Sequence, residues 1–143
     1  MPTAQDVWTA ALQYDRVPWK HQGRREDSID CLGLIVMTAV DIGLDGAERF
    51  KEFETRNYSR LPPNRLAIEL LAAGMLRAPG IQVGCVGLFA QPGTYPSHLA
   101  IFGDGDMIHA SALEKRVVRH GYVHPWPSQL RGIFAYPGVI YEA

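Results

Sequence analysis

The sequence has little of several features, and each shortage excludes a class of protein. Two cysteines in 143 residues are too few for a disulfide framework, so a hydrophobic core has to stabilise the fold. A net charge of −1 gives no electrostatic reason to expect nucleic acid as a partner. No uninterrupted apolar run reaches the roughly 18 residues of a membrane span, and the first residues lack the basic and apolar regions of a signal peptide. We therefore expect synthesis in the cytoplasm without a secretory leader, and no membrane insertion.

What is present is the composition of an ordinary globular domain, with 47% hydrophobic and 20% charged residues. We expect one domain over residues 1–143. Helical spacing of apolar residues covers 4–14, 31–42 and the segment that follows Pro63. The second half has short β-branched or aromatic segments within 83–90, 97–103, 106–111, 115–120 and 132–137. Helices followed by strands predict an α+β fold, with N-terminal helices packed on an antiparallel β-sheet.

The stretch "SHLAIFGDGDMIHAS" predicts a hairpin whose two-residue turn is Asp104–Gly105. Counting outward from that turn pairs Ala100 with His109 and His98 with Ser111. The two histidines then lie as diagonal neighbours on one face, beside two small residues. Either histidine alone is compatible with an ordinary, partly exposed sheet residue. Together on one face they indicate a site.

A second candidate is Cys31, which follows Asp30 in "SIDCLGLIV". Asp30 is typical of a helix N-cap, and a thiol in the first turn of a helix has its thiolate form favoured. In that interpretation His98 takes the thiol proton and His109 orients His98. The alternative is that Cys31 is a buried structural thiol, as free cysteines often are. The residues alone leave open whether Cys31 and His98 meet.

These blocks resemble the NlpC/P60 cell-wall cysteine peptidases, which are papain-like in fold. "VPWKHQG" followed by "IDCLGLIV" is similar to the family's Pro-aromatic loop and Asp-Cys-Ser-Gly-Leu motif, and the double-histidine hairpin is similar to its His-x-x-Ile block. The resemblance implies that Cys31 is the nucleophile, His98 the general base and acid, and His109 the orienting residue. It also implies that the backbone N–H of Cys31 helps to hold the oxyanion.

Three positions depart from the family pattern: Trp19 stands for the usual Tyr, Leu32 for Ser and Cys85 for Asp. Around the proposed nucleophile and base, further residues are candidates for the cleft. His21 is one of them, although a solvated loop position is the simpler interpretation for it. The candidate cleft residues are Trp19, His21, Asp30, Ser97 and Ser111.

The resemblance also implies a substrate and a route to it. Family substrates are stem peptides of peptidoglycan, often cut between D-glutamate and diaminopimelate, and no cofactor is implied. Leu32 and the "HQG" stretch resemble a branch encoded in bacteriophages and gene transfer agents. In that branch the domain is carried on the particle's tail, so tail or baseplate hub proteins are the expected partners. The expected place of action is then the periplasm or the cell wall.

Two other function classes stay open at this point. Cys31, Cys85, His98 and His109 are acceptable zinc ligands, although no C-x-x-C or H-E-x-x-H spacing is present. A non-catalytic tail-structural or peptidoglycan-binding module of the same fold is the second. Cys85 is interpreted as a small buried residue. His120 precedes and His124 lies within "GYVHPWPSQL", where Trp126 between prolines either forms a groove wall or anchors the loop, and we prefer the anchor.

Overall fold

Three helices and one face of an antiparallel sheet enclose the main core in the computed structural model, which describes residues 1–21, 23–47 and 65–142. Helix α1 spans Ala4–Leu12, α2 spans Cys31–Asp41 and α3 spans Arg65–Ala72. A short helix, α4, spans Trp126–Gln129. The segment 44–63 mixes both charges with isolated aromatics, which predicts a surface segment, and it falls mostly outside the described residues. At its described start, Leu44 and Ala47 are buried.

The starts of α1 and α2 follow from their capping residues. Thr3 forms a capping box with Asp6 at α1. At α2 the predicted N-cap is confirmed, since Asp30 Oδ1 accepts a 2.7 Å hydrogen bond from the backbone N–H of Gly33. The pattern after Pro63 favours a helix that stops at Pro79–Gly80. Helix α3 ends earlier, at Ala72, because Gly74 adopts a φ of +104° and turns the chain into a strand.

The strands form a small ribbon and one larger sheet. The ribbon pairs β1, Arg24–Arg25, with β2, Ser28–Ile29. The larger sheet has the order β3-β8-β4-β5-β6-β7, and every neighbouring pair in it is antiparallel. Its strands are β3 Leu76–Arg77, β4 Val86–Phe89, β5 His98–Phe102, β6 Asp106–Ser111, β7 Arg116–Gly121 and β8 Leu130–Ala135. The predicted α+β fold with an antiparallel sheet is confirmed.

The β5–β6 hairpin has the predicted register. Ile101 pairs with Ile108 and Phe102 with Met107, and Gly103 donates to the Asp106 carbonyl across the turn at 2.8 Å. Alternate side chains of these strands therefore point to opposite faces. One set, which includes Leu99, Ile101, Ile108 and Ala110, is buried in the core with the helices.

The other face of the sheet carries a smaller buried cluster. It is formed by Cys85, Phe89, Ala100, Phe102 and Met107. Trp126, at the start of α4, packs against this cluster without being fully buried. The face opposite the helices is thus only partly covered, which leaves room for a groove beside β5 and β6. Among the described residues no helix has the length and apolar character of a membrane span.

Candidate active site

Three imidazoles lie in a line across β5, β6 and β7. Nε2 of His98 is 2.8 Å from Nδ1 of His109, and Nε2 of His109 is 2.8 Å from Nε2 of His120. At the far end, Nδ1 of His120 lies 2.9 Å from the carbonyl oxygen of Gly121. We call these three side chains the histidine row. The predicted meeting of His98 and His109 is confirmed, and the structure adds a third ring.

His120 lies on a strand, as the segment 115–120 predicts, but its place in the row was not predicted, although the sequence held the signal for it. The turn between β6 and β7, residues 112–115, is of even length, and His109 pairs with Val118 while Met107 pairs with His120. His120 is therefore diagonal to His109 on the same face, as His98 is on the other side. The register rule that paired the first hairpin also applies to this second one.

Burial keeps His98 and His109 neutral. It lowers the pKa of His98 from 6.5 to about 4. The pKa of His109 falls further, to about 2, because of burial first and then repulsion from positive charge on His98 or His120. A neutral imidazole has one N–H donor and one lone-pair nitrogen. His98 is accordingly in the form that can accept a proton near neutral pH.

The structure brings Cys31 to the strand that carries His98. Cys31 is the first residue of α2, only 4% of it is exposed, and α2 packs against β5 and β6. The thiol donates to the carbonyl oxygen of Ser97, the residue directly before His98, with Sγ at 3.9 Å. The thiol is thus buried, as the structural interpretation of Cys31 expects. It also lies at the start of β5, against the residue before His98, as the catalytic interpretation expects.

A groove of about 470 Å³ opens beside His98 and His109. Trp126 forms part of its wall, with ring centroids 5.8 Å from His98, 4.7 Å from His109 and 5.4 Å from His120. Trp126 also meets Phe89 edge-to-face at 5.3 Å. The preference for a loop anchor over a groove wall at Trp126 was therefore wrong. The other lining residues are Gln91, Thr94, Ser97, Ser111, Ala112, Leu113 and Gln129.

The five candidate cleft residues divide into two groups. Ser97 and Ser111 line the groove as predicted. Asp30 does not, because its side chain is fully buried and caps α2. Trp19 and His21 lie in the loop before β1 with their rings 6.4 Å apart, and neither is among the described residues that line the groove. The loop carries them beside β2 instead, since Trp19 bridges to Ile29.

A larger cavity, of about 980 Å³, lies elsewhere, between α1 and α2. Its polar lining includes Asp6, Tyr14, Glu26 and Asp41, and Tyr14 donates to the Asp41 carboxylate. None of the described residues that line it is a cysteine or a histidine. Size alone favours this cavity, whereas the smaller groove is the one lined by His98, His109 and Ser97, whose carbonyl accepts from the Cys31 thiol.

The fold shows where Cys85 lies and how the zinc-ligand candidates are arranged. Cys85 is buried as predicted, in the cluster on the groove side of the sheet, and burial raises the pKa of its thiol. Cys31 and Cys85 are not joined in a disulfide. Over residues 1–21, 23–47 and 65–142, no group of three or more His, Cys, Asp or Glu side chains is arranged to hold a metal ion. The rings of the histidine row bond one another in sequence and do not converge on one point.

Comparison with known proteins identifies the fold. No family model and no curated protein matches the sequence. An NlpC/P60 family protein from Bacillus cereus ATCC 10987 is similar, with a TM-score of 0.62 and 19% identity over 92% of this chain. The NlpC/p60 domain of the peptidoglycan hydrolase SagA has a TM-score of 0.62 and 18% identity over 94% of this chain. The fold is that of the NlpC/P60 proteins.

The NlpC/P60 fold also relates the chain to an N-acetylmuramoyl-L-alanine amidase from Bacteroides uniformis ATCC 8492. That structure has a TM-score of 0.55 and 14% identity over 92% of this chain and 96% of its own. The present chain covers 99% of the SagA domain but only 39% of the B. cereus protein. The single domain over residues 1–143 accordingly stays a prediction.

Proposed function

We propose that this chain is a cysteine peptidase that hydrolyses stem peptides of peptidoglycan. The observation that carries the proposal is the placement of the Cys31 thiol at the start of α2, against the residue that precedes His98. His98 is in turn hydrogen-bonded to His109. A thiol, a base and a residue that orients the base are the parts that acyl transfer requires. The fold neighbours supply the substrate class, since the SagA domain belongs to a peptidoglycan hydrolase.

The proposed reaction starts from a neutral His98. His98 takes the proton of Cys31, and the thiolate attacks the peptide carbonyl to form a tetrahedral intermediate. The backbone N–H groups at the start of α2 stabilise its oxyanion. His98 then gives its proton to the leaving amine, which breaks the C–N bond and leaves an acyl-enzyme. A water molecule, deprotonated by His98, releases the acid and restores the thiol.

The departures from the family pattern affect this scheme differently. Leu32 is fully buried in the main core, so its replacement of a serine changes packing and leaves the groove surface as it is. Trp19 has no hydroxyl, so this position supplies no hydroxyl donor to the oxyanion, and Trp19 is not among the described residues that line the groove. The scheme relies on backbone donors there.

Digestion of purified diaminopimelate-type peptidoglycan tests the proposal. Wild-type protein and Cys85→Ala should release the same fragments, and Cys31→Ala none. Cys85 is the matched control, because it is a buried cysteine outside the proposed machinery. If wild type released fragments and Cys85→Ala did not, the loss of a buried cysteine would abolish hydrolysis by an indirect effect on the fold. No products from any protein with an intact Cys31 thiol would favour a binding or tail-structural module.

Mass spectrometry of the fragments also identifies the bond. We propose the bond between D-glutamate and diaminopimelate, as the resemblance implies. The Bacteroides uniformis neighbour is named as an amidase, which makes the bond between the muramoyl group and L-alanine the competing assignment. New amino-terminal diaminopimelate supports the first, and free L-alanine amino-termini support the second.

The role of the imidazoles can be tested without peptidoglycan, through the reaction of Cys31 with iodoacetamide near neutral pH. His98→Ala should slow both alkylation and hydrolysis, and hydrolysis by about 100-fold or more. His109→Gln should retain more activity than His109→Ala, since an amide still bonds His98. Equal alkylation rates in wild type and His98→Ala would remove the base from the mechanism.

The proposed route to the wall is carriage on a phage or gene-transfer-agent tail, where tail or baseplate hub proteins bind the domain. Its support is the resemblance of Leu32 and the "HQG" stretch to that branch. Mass spectrometry of purified particles from producing cells should find the chain together with tail proteins. Its presence only in particle-free medium would contradict this route and leave the peptidase proposal intact.

A further inference from the structure

We infer that His120 is a positioning residue: bonded to the Gly121 carbonyl, it fixes the tautomers of the histidine row so that Nδ1 of His98 holds the lone pair. The proton-transfer consequence rests on the proposed peptidase function, whereas the tautomers themselves do not. His120 is outside the described groove lining, and it bonds His109, which in turn bonds the proposed base.

The assignment follows from the end of the row. A carbonyl oxygen can only accept, so Nδ1 of His120 must carry a hydrogen to bond Gly121. In a neutral ring, Nε2 of His120 is then an acceptor, and Nε2 of His109 must donate to it. Nδ1 of His109 is therefore an acceptor, and Nε2 of His98 must donate in its turn. The remaining nitrogen of the row, Nδ1 of His98, has the lone pair.

The histidine row has a second tautomer arrangement, and the Gly121 carbonyl decides which of the two arrangements is the more stable. With every ring in the other tautomer, the bonds between the rings survive with donors and acceptors exchanged. The lone pair of His120 Nδ1 would then face the carbonyl oxygen at 2.9 Å, with one hydrogen bond lost. In that arrangement His98 would carry a hydrogen on Nδ1 and none on Nε2. Removing His120 removes the hydrogen bond to the Gly121 carbonyl, which is what makes one tautomer arrangement more stable than the other.

Proton-detected ¹H–¹⁵N correlation of ¹⁵N-histidine-labelled protein near pH 7.5 tests the inference, since it distinguishes a protonated ring nitrogen from a lone-pair one. Wild type should show hydrogen on Nε2 of His98, on Nε2 of His109 and on Nδ1 of His120. Hydrogen on Nδ1 of His98 would overturn the inference. This measurement needs no variant to fold and no turnover.

Variants then test the role of His120. In His120→Leu, His98 should populate both tautomers, and kcat on a stem-peptide substrate should fall about tenfold with KM unchanged. His120→Gln should recover most of the loss, because its amide oxygen accepts from His109 while its NH₂ faces the Gly121 carbonyl. His124→Leu, at an exposed histidine outside the row, is the matched control.

The outcomes separate this inference from the proposed function. An unchanged His98 tautomer in His120→Leu, or equal losses of kcat in the Leu and Gln variants, would overturn the role of His120 while hydrolysis by wild type still stands. The expected tautomers in a protein that cleaves no peptidoglycan would refute the proposed function, and would confine His120 to setting the protonation of the row.

Discussion

His98 and His109 are held neutral by burial, which ties the stability of the fold to pH. An unfolded histidine titrates near 6.5, whereas the pKa of folded His98 is about 4. The unfolded state therefore binds more protons between these values, so stability is full above pH 6.5 and is lost as the pH falls toward 4. One unit of pKa is worth about 1.4 kcal/mol, so His98 accounts for a loss of about 3 kcal/mol. Urea unfolding at pH 7, 5.5 and 4.5 measures the loss.

The matched variant for this prediction is His98→Gln, which keeps a polar side chain and removes the titration. Its free energy of unfolding should fall less between pH 7 and 4.5 than that of wild type. Carboxylates titrate in both proteins, so only the difference between the two curves reports His98. Parallel curves would mean that the pKa of His98 is the same in the folded and the unfolded protein, so that burial does not lower it.

At the scale of elements, α2 places the nucleophile, and Gly33 sets how closely α2 approaches the loop before it. A Cβ at Gly33 would overlap the Gly23 carbonyl oxygen and lie 2.9 Å from Cγ1 of Ile29. Gly33→Ala should push the first turn of α2 away from β2 and with it displace Cys31. We expect a loss of about 1–3 kcal/mol in the free energy of unfolding and slower alkylation of Cys31.

Gly80→Ala is the matched control for that substitution. A Cβ at Gly80 meets no atom within 4 Å, so the same chemical change should leave stability and alkylation close to wild type. If Gly33→Ala alkylates at the wild-type rate, the start of α2 tolerates displacement and the position of the thiol is set elsewhere.

The elements also show how far the sequence predicts the structure. Helix α2 and the β5–β6 hairpin were predicted closely, because a capping residue, a long apolar pattern and an Asp-Gly turn each fix a boundary or a register. The strands β1, β2 and β3 were not predicted, since two residues carry no periodic signal. Helix α4 was not predicted either, because its four residues include a proline.

The candidate site was predictable to the extent that it depends on local pairing. His98 and His109 followed from counting along one hairpin, and His120 follows from the next in the same way. The approach of Cys31 to Ser97 spans 66 residues of chain and depends on how α2 packs on the sheet, which no local pattern records. Trp126 reaches the row through a loop whose path is likewise set by packing.

Over the whole molecule, the sheet separates two tasks. Its helix-side face builds the main core, where the Tyr136 hydroxyl donates to the Ile35 carbonyl at 2.7 Å and links the end of β8 to α2. Its other face carries the histidine row under Trp126. The two layers meet at Cys31, which belongs to the helix-side core and bonds the residue before His98. Side-chain changes away from that junction should leave the task of the other layer largely intact.

Two substitutions compare these layers directly. Tyr136→Phe removes a buried hydrogen bond and should lower the free energy of unfolding by about 1 kcal/mol, with the rate of Cys31 alkylation unchanged. Trp126→Ala exposes the row to water, so the pKa values of His98 and His109 should rise toward 6.5 and the alkylation rate should change. Histidine NMR titration and alkylation measure both variants. If Tyr136→Phe altered the alkylation rate as much as Trp126→Ala did, the core would set the reactivity of the thiol through α2. The two layers would then not be independent.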